Sequence, residues 1–284
     1  MALSWTDLGL MFAASLWMAL PILLALCLCV LVEMLFPSEE LSLRERLPGA
    51  LFVLALPVSA AFIVPPFHAF WRFIECPILI DLRWMPDWLL LATLILLWDF
   101  CNYWEHRFEH RFLWSFHAVH HAPTQLHAAH TYAHPVQLIC QFFFKVLPFS
   151  LLGLKGVAVP ALAVVMVAFW NFFIHASTRL HVGPLRWLLV DNRFHRIHHS
   201  VDKRHFDKNF APVFSIWDQL FGTAHFPAPD EHPAVGVEDV RPPRSYFDLL
   251  VMPVRRAERK IAAGSVVESF ADVSETRPVA RSAV

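Results

Sequence analysis

Two short histidine-rich stretches decide the fold of this chain. The first reads W-E-H-R-F-E-H-R-F-L-W-S-F-H-A-V-H-H from Trp104 to His121, and the second reads R-F-H-R-I-H-H-S from Arg193 to Ser200. On a helix, residues three and four positions apart lie on one face, so each stretch presents a face of imidazoles. We therefore expect helical segments that bring these faces together.

Nine histidines form the candidate metal-binding set. They share helical spacing or a position just after an apolar run: His106, His110, His117, His120, His121, His175, His195, His198 and His199. One unbroken helix from His106 to His121 would spread its imidazoles over roughly 22 Å, too far for a compact centre. The helix is therefore predicted to break or fold back between His110 and His117, unless these groups serve a site that other segments close.

The number of these histidines indicates the kind of site. As structural residues, nine neighbouring imidazoles would be a burden, because neutral rings need partners for both nitrogens and charged rings repel one another. Metal ions relieve both problems. Imidazole without thiolate suits iron, zinc, copper or nickel, so the ligand type leaves the metal open. Since one zinc ion takes about four ligands, nine candidates indicate two ions.

The composition predicts a membrane protein. Of 284 residues, 57% are hydrophobic, and the mean hydropathy is +0.47, far above that of an ordinary soluble domain. The formal net charge is −1 and no long block of like charge occurs, which argues against a nucleic-acid partner. Aromatic residues suit contact with lipid, but the histidines need a separate explanation.

The apolar runs predict an all-α integral membrane bundle of four to five spans, with a cytosolic helical cap that carries the histidines. A spanning helix needs about 20 apolar residues. The candidate runs are Leu8–Val32, Leu47–Val64, Trp88–Trp104, Val136–Leu154 and Val157–Ile174. The last two form a predicted hairpin that either crosses fully or lies half inserted.

Basic residues follow the first run, the third run and the hairpin, which predicts a cytoplasmic position for the histidine blocks. We expect the plasma (inner) membrane of a bacterium. The predicted domains are an N-terminal transmembrane region with an outer loop at 1–86, a catalytic domain at 87–225, a C-terminal polar extension at 226–256 and a disordered tail at 257–284.

Four motifs together resemble one known family. They are W-E-H-R-F-E-H from Trp104, H-A-V-H-H from His117, R-F-H-R-I-H-H-S from Arg193, and N-F-A-P-V-F-S-I-W-D-Q-L-F-G-T from Asn209. Over roughly residues 90 to 225 the chain resembles the fatty acid hydroxylase and sterol desaturase superfamily. The resemblance implies that the eight histidines of the three boxes bind two irons, and that His175 is an additional ligand.

The resemblance also implies a function. An O₂-dependent di-iron (Fe²⁺/Fe³⁺) enzyme of this kind hydroxylates or desaturates an unactivated C–H bond of a membrane lipid, such as a fatty acyl chain or sterol. No catalytic residue separate from the metal ligands is expected. The sequence has no dinucleotide-binding glycine motif, haem motif or iron-sulfur cysteine set, so a separate reductase chain is expected to supply electrons.

Further residues are candidates for supporting roles. Glu105, Glu109, Asp191 and Asp202 lie near the boxes, where a carboxylate can accept the second ring N–H of a ligand. His134 is a candidate pocket residue, Asn171 stands where some relatives have another histidine, and Asp218 is expected to support the site. The predicted surface histidines are His127 and His130, and His205 is expected to make a local hydrogen bond.

Two other functions compete with lipid oxidation. A membrane zinc hydrolase would use a metal-activated water and typically the glutamate of an H-E-x-x-H motif, which the sequence lacks. A metal transporter would place its ligands within the spans near the bilayer midplane. The histidine blocks lie instead at the ends of the apolar runs.

Overall fold

The structure is a computed structural model, and it describes residues 5–41, 46–53, 70, 77–131, 133–238, 240–243 and 245–254. Four of its helices are α1 (Trp5–Leu35), α2 (Asp87–Phe112), α3 (Trp114–His121) and α6 (Ala158–His175). Between α3 and α6 lie α4 (Gln137–Gln141), a π-helical turn at Phe142–Val146 and α5 (Leu147–Ser150). The largest part of the described chain is therefore helical.

Shorter elements complete the structure. After α6 come α7 (Asn192–His198), α8 (Ile216–Leu220) and 3₁₀ turns at Gly183–Trp187 and Lys203–His205. Residues 46–53 and 246–254 are also helical. Strands β1 (Ile80–Asp81) and β2 (Leu152–Gly153) pair in parallel, a small departure from the predicted all-α fold.

The predicted break between His110 and His117 lies at Leu113. This residue separates α2 from α3 with φ −123° and ψ 24°, outside helical geometry. Its N–H still bonds to the Glu109 carbonyl at 2.9 Å, so α2 is closed before the chain turns. The turn lets α3 fold back, and its three histidines approach those of α2.

The fourth apolar run departs from its prediction in two places. The chain is helical without a break over 137–150, but it contains the π-helical turn between α4 and α5, and it then leaves the helix to pair with β1. Within the π-helical turn, Lys145 donates to Asn102 Oδ1 at 2.9 Å and pairs with Glu105 at 2.7 Å. An inserted turn widens a helix locally, which suits a charged side chain that must reach a partner on α2.

The number of spans remains a prediction. Among the described residues, Ala158–His175 is the helix long and apolar enough to cross a membrane, and Ala19–Leu35 is a shorter apolar helical segment. Most of the predicted second span, at 54–64, lies outside the described residues, and so does the predicted tail at 257–284.

The core joins α1 and α6 and then continues beneath the histidines. Ala25, Leu26 and Cys29 of α1 form a buried cluster with Phe172 of α6. A second cluster consists of Tyr103, Ile174, Val190, Phe194, Phe210 and Ala211. This second cluster connects the ends of α2 and α6 to α7, and it supports the elements that carry the imidazoles.

Candidate metal centre

Each of the nine candidate histidines lies at or near the end of a helix. His106 and His110 occupy the last two turns of α2, and His175 is the last residue of α6. The other six belong to α3 and to α7 with its C-cap: His117, His120, His121, His195, His198 and His199. Four helices therefore contribute to one centre.

The nine rings divide into two adjoining groups. The first group consists of His106, His110, His117, His121 and His198, and the second of His120, His175, His195 and His199. Within each group, all candidate ligand nitrogens lie within 4.8 Å of one another. The groups are in direct contact, since the His121 and His199 rings stack with centroids 4.3 Å apart. The sequence predicted nine histidines at two ions, and the structure brings all nine together in two groups.

In the first group, the Nε2 atoms face a common point. His117 Nε2 lies 3.1 Å from His106 Nε2 and 3.1 Å from His121 Nε2. The Nε2 atoms of His110 and His121 are 3.3 Å apart. The second group repeats this arrangement around His175, whose Nε2 lies 3.0 Å from that of His195 and 3.3 Å from that of His120.

Backbone carbonyls on the far side of three rings determine which nitrogen carries the proton. The Nδ1 atoms of His106 and His198 lie 2.8 Å from the carbonyl oxygens of Phe210 and Lys208, respectively. His175 Nδ1 lies 2.7 Å from its own helix, at the carbonyl four residues earlier. A carbonyl can only accept, so Nδ1 of each ring donates a proton and Nε2 presents a lone pair.

Carboxyl groups lie behind the Nδ1 atoms of two further rings of the first group. His117 Nδ1 lies 2.9 Å from both Glu109 Oε2 and Gln137 Nε2, and Gln137 Nε2 donates to the same glutamate oxygen at 2.8 Å. His110 Nδ1 lies 3.4 Å from Asp207 Oδ1. Four of the five first-group rings therefore have an oxygen behind Nδ1, which turns Nε2 toward the centre.

This arrangement fits metal ions. Lone pairs that face one another at 3.1 Å, as in His106 and His117, repel unless a cation lies between them. Within the described chain, buried His198 Nε2 has no hydrogen-bond partner. Burial, together with neighbouring imidazoles, holds the pKa of His117 and His198 well below the usual range. The rings are therefore neutral, the form that binds a metal.

Burial also affects the acid behind His117. It raises the pKa of Glu109 to about 8, and the nearby charge of Glu105 acts in the same direction. A cation on the far side of His117 would favour the ionised carboxylate, because opposite charges attract across the ring. Glu109 thus occupies the position expected from the sequence.

Two buried aspartates hold the loop that supplies these carbonyls. Asp218 accepts hydrogen bonds from the N–H groups of Phe210 at 2.8 Å and Ala211 at 2.9 Å. Asp99 accepts from the N–H groups of Val213 and Phe214, both at 2.8 Å. The Asp218 carboxylate thereby fixes the residue whose carbonyl orients His106, which gives its predicted supporting role a geometric basis.

Other predicted supporting residues bind elsewhere. Glu105 pairs with Lys145, Asp191 accepts from the α7 backbone at Phe194 N, and Asp202 pairs with Arg204. Their carboxylates therefore bind other groups in place of the ring N–H expected from the sequence.

Asn171 and His134 also differ from their predicted roles. The group that Asn171 offers to His175 is its backbone carbonyl, because the two residues are one helical turn apart. The ring of His134 packs on Phe116, and its Nε2 lies 3.3 Å from the Leu250 carbonyl. In the described part of the chain, no hydrogen bond joins the His134 ring to the nine imidazoles.

The prediction of a surface position for His127 and His130 is wrong, since they are 4% and 0% exposed. His130 Nε2 donates to the His120 carbonyl at 2.6 Å, and its ring centroid is 5.3 Å from that of His199. Their spacing of three residues, just after the second box, was the available signal. No sequence pattern indicated Asp207, because it lies in a loop. Its own φ is 56°, and its carboxylate approaches His110 through the fold.

Fold and site together define a class: a helical protein with a buried polyhistidine centre, whose two adjoining groups could each hold a metal ion. The sequence profile of the fatty acid hydroxylase family matches residues 91–223, which include all nine histidines. Over this region the chain is similar to the fatty acid hydroxylase family, in agreement with the resemblance to the fatty acid hydroxylase and sterol desaturase superfamily. No solved structure gives a significant match.

Three relatives illustrate the range of the similarity. The chain is 30% identical to alkylglycerol monooxygenase of Homo sapiens over 164 residues, 56% of this chain and 35% of that protein. It is 28% identical to the ornithine lipid hydroxylase OlsE of Rhizobium tropici over 187 residues, 64% of this chain and 56% of that protein. It is 29% identical to the cholesterol 25-hydroxylase-like protein of Danio rerio over 240 residues, 73% of this chain and 89% of that protein. The chain thus spans 35% of the human relative and 56% of the bacterial one.

Proposed function

We propose that this protein is an O₂-dependent di-iron oxidoreductase that hydroxylates an unactivated C–H bond of a membrane lipid. The observation that carries this proposal is the pair of adjoining imidazole groups, five nitrogens in one and four in the other. The names of the three relatives, a monooxygenase, a lipid hydroxylase and a hydroxylase-like protein, support oxidation of a lipid.

The two groups are the proposed ligand sets of the two irons. Imidazole accepts several metals, and the O₂-dependent oxidation in the relatives' names favours iron among them. When bound, iron supplies the activation of O₂ and the cleavage of the C–H bond. The balanced reaction converts a C–H bond, O₂, two electrons and two protons into an alcohol and water.

The chain's own residues orient the ligands and exclude water. The carbonyls of Phe210 and Lys208 hold His106 and His198 in the tautomer that presents Nε2. Trp114 and Phe210 line the first group, with ring centroids 5.1 and 4.9 Å from that of His110. Aromatic side chains beside the ligands favour binding of a hydrocarbon and limit the access of water to the centre.

Exposed apolar side chains support a membrane location. Leu24, Leu28 and Leu31 of α1 are half or more exposed, and Leu162 and Val164 of α6 are each 49% exposed. Such surface on two packed helices suits lipid contact. We infer that the histidines face the cytoplasm, where a separate reductase chain would supply the electrons.

Metal content tests the proposal most directly. We expect about two irons per chain in anaerobically purified, detergent-solubilised protein, one for each ligand group. His120→Ala combined with His198→Ala removes one ligand from each group and should abolish iron binding. His181→Ala is the control, because His181 is exposed and outside both groups.

Activity gives the second readout. Iron-loaded protein with a lipid mixture, O₂ and an electron donor should consume O₂ and form a hydroxylated lipid, and the double variant should do neither. Zinc alone after growth in iron-rich medium, with no O₂ consumption once iron is added, would contradict the proposal.

A further inference from the structure

Three side chains outside the nine-histidine centre form a separate cluster. The outer cluster consists of His205, His225 and Glu231, and its candidate ligand atoms lie within 4.8 Å of one another. His205 follows the third histidine box, and the other two belong to the segment after α8. Sequence spacing gives no signal for this cluster, because its members come together only through the fold.

Both imidazoles point at one carboxylate. His205 Nε2 lies 3.0 Å from Glu231 Oε1, and His225 Nε2 lies 3.1 Å from Glu231 Oε2. The ring centroids are 4.8 Å apart. The Ala228 N–H donates to Glu231 Oε2 at 3.0 Å and fixes the carboxylate from its own backbone. Two nitrogens and a carboxylate thus converge on a single small volume.

We propose that the outer cluster is a third metal site, which binds a divalent transition cation such as Zn²⁺. Two imidazoles and a carboxylate are a zinc ligand set, and a site with three protein ligands leaves a position for water. Solvent can reach that position, because the side chains of His225 and Glu231 are 33% and 23% exposed. The proposal is independent of the oxidative function, since none of the nine histidines belongs to this cluster.

The surroundings of His205 prepare its nitrogen for a metal. His205 is 1% exposed, and its Nδ1 lies 2.9 Å from Ser200 Oγ. When Nδ1–H donates to this hydroxyl, Nε2 presents its lone pair toward Glu231. Asn209 holds the backbone of His225, since its Oδ1 accepts from the His225 N–H at 2.7 Å. The His205 ring and the backbone that carries the second imidazole are therefore fixed before any cation arrives.

A cation here would fasten the segment 225–236 over the third histidine box. This segment already contacts the box, since the Gly236 N–H donates to the His199 carbonyl at 3.1 Å. Arg196 Nε donates to the Pro233 carbonyl at 2.8 Å, and the Val201 N–H to the Ala234 carbonyl at 3.0 Å. The outer cluster adds a second attachment at the start of the segment, so its cation should act on stability.

Zinc content of matched variants tests the third site. Iron-loaded full-length protein would be equilibrated with Zn²⁺, desalted and analysed for both metals. Glu231→Gln and His225→Ala should each retain about one zinc ion fewer per chain than the unmodified protein, since each removes a ligand. His232→Ala is the control, because His232 is an exposed histidine of the same segment that pairs with Glu39.

Iron content and thermal unfolding separate this proposal from the oxidative one. The iron content per chain should be unchanged in Glu231→Gln and His225→Ala. An unchanged iron content would also show that both variants fold. Zinc should raise the thermal midpoint of the unmodified protein and of His232→Ala, but of neither ligand variant. Equal zinc content in all four proteins would overturn the third site, whatever the iron content.

Discussion

Each imidazole of the centre can bind a metal ion through Nε2 only when its proton is on Nδ1. A free neutral histidine exchanges its proton between Nδ1 and Nε2, and an acceptor at one nitrogen fixes the tautomer. His106, His198 and His175 use backbone carbonyls, and His117 uses Glu109. A substitution does not remove a backbone carbonyl, but it can remove a side-chain carboxylate. The effect of a partner on the metal can therefore be tested at Glu109.

Glu109→Gln should weaken iron binding about 10-fold to 100-fold, the usual effect of losing a partner behind a metal-bound histidine. Glutamine nearly preserves the shape but removes the negative charge that favours a cation beyond the His117 ring. The measurement is iron retained during titration with a chelator.

Asp207→Asn provides the comparison. Asp207 is 77% exposed and 3.4 Å from His110 Nδ1, so water weakens its effect. We expect a smaller loss of iron affinity than for Glu109→Gln. Equal losses in the two variants, or no loss in either, would show that the charge behind the ring does not influence the metal.

The ligand residues could be predicted from the sequence, but their partners could not. Helical spacing placed three imidazoles on α3 and two on α7, because that geometry is local. The carbonyl behind His106 comes from Phe210, 104 residues away, and any residue type offers a carbonyl. No local pattern therefore indicates which loop closes over a given ring.

At the scale of elements, loop 209–215 is held at two points and positions the ligands. Asp99 of α2 accepts from Val213 in the second half of the loop, and Asp218 of α8 accepts from Phe210 and Ala211 in the first half. The motif from Asn209 to Thr223 suggested structural support. The structure explains it through capped backbone N–H groups and a side-chain bond from Thr223 at 2.6 Å.

Asp218→Asn should lower the free energy of unfolding by about 1–3 kcal/mol, because one of two buried backbone N–H groups loses its acceptor. Movement of Phe210 should also reduce iron retention. Thermal unfolding and a chelator titration measure the two effects. Asp230→Asn is the control at an exposed aspartate, and equal unfolding midpoints for the two variants would contradict a positioning role.

The fourth apolar run shows what hydropathy does not predict. Hydropathy indicates a helix over Val136–Leu154, and the chain is helical over 137–150, but an average over side chains indicates neither the π-helical turn nor strand β2. The Lys145 side chain is 14% exposed, and its ammonium binds Glu105 at 2.7 Å from within the π-helical turn. Pairing of β2 with β1 depends on residues 72 positions earlier, beyond the reach of local propensity.

At the scale of the whole molecule, α1 is connected to the histidine centre through Glu33. Its carboxylate is fully buried and accepts from the N–H groups of Ala128 and Ser177, both at 2.7 Å. Ala128 lies beside His127, and Ser177 lies two residues after His175. Arg46 Nε completes the set at 3.2 Å. One side chain thus links α1 to the two segments that flank the second group.

Glu33→Gln should therefore destabilise the whole molecule, by about 3–5 kcal/mol in the free energy of unfolding, because Arg46 is left buried without a counter-charge. Glutamine still offers Oε1 to both backbone N–H groups, so the substitution removes only the ion pair with Arg46. Asp81→Asn is a control, since the Asp81–Arg83 pair is exposed to water and should leave the thermal midpoint unchanged. Adding Arg46→Met should restore much of the stability, because removing both charges avoids the buried unpaired one. If Glu33→Gln unfolds at the midpoint of the unmodified protein, the Glu33–Arg46 ion pair does not stabilise the attachment of α1 to the centre.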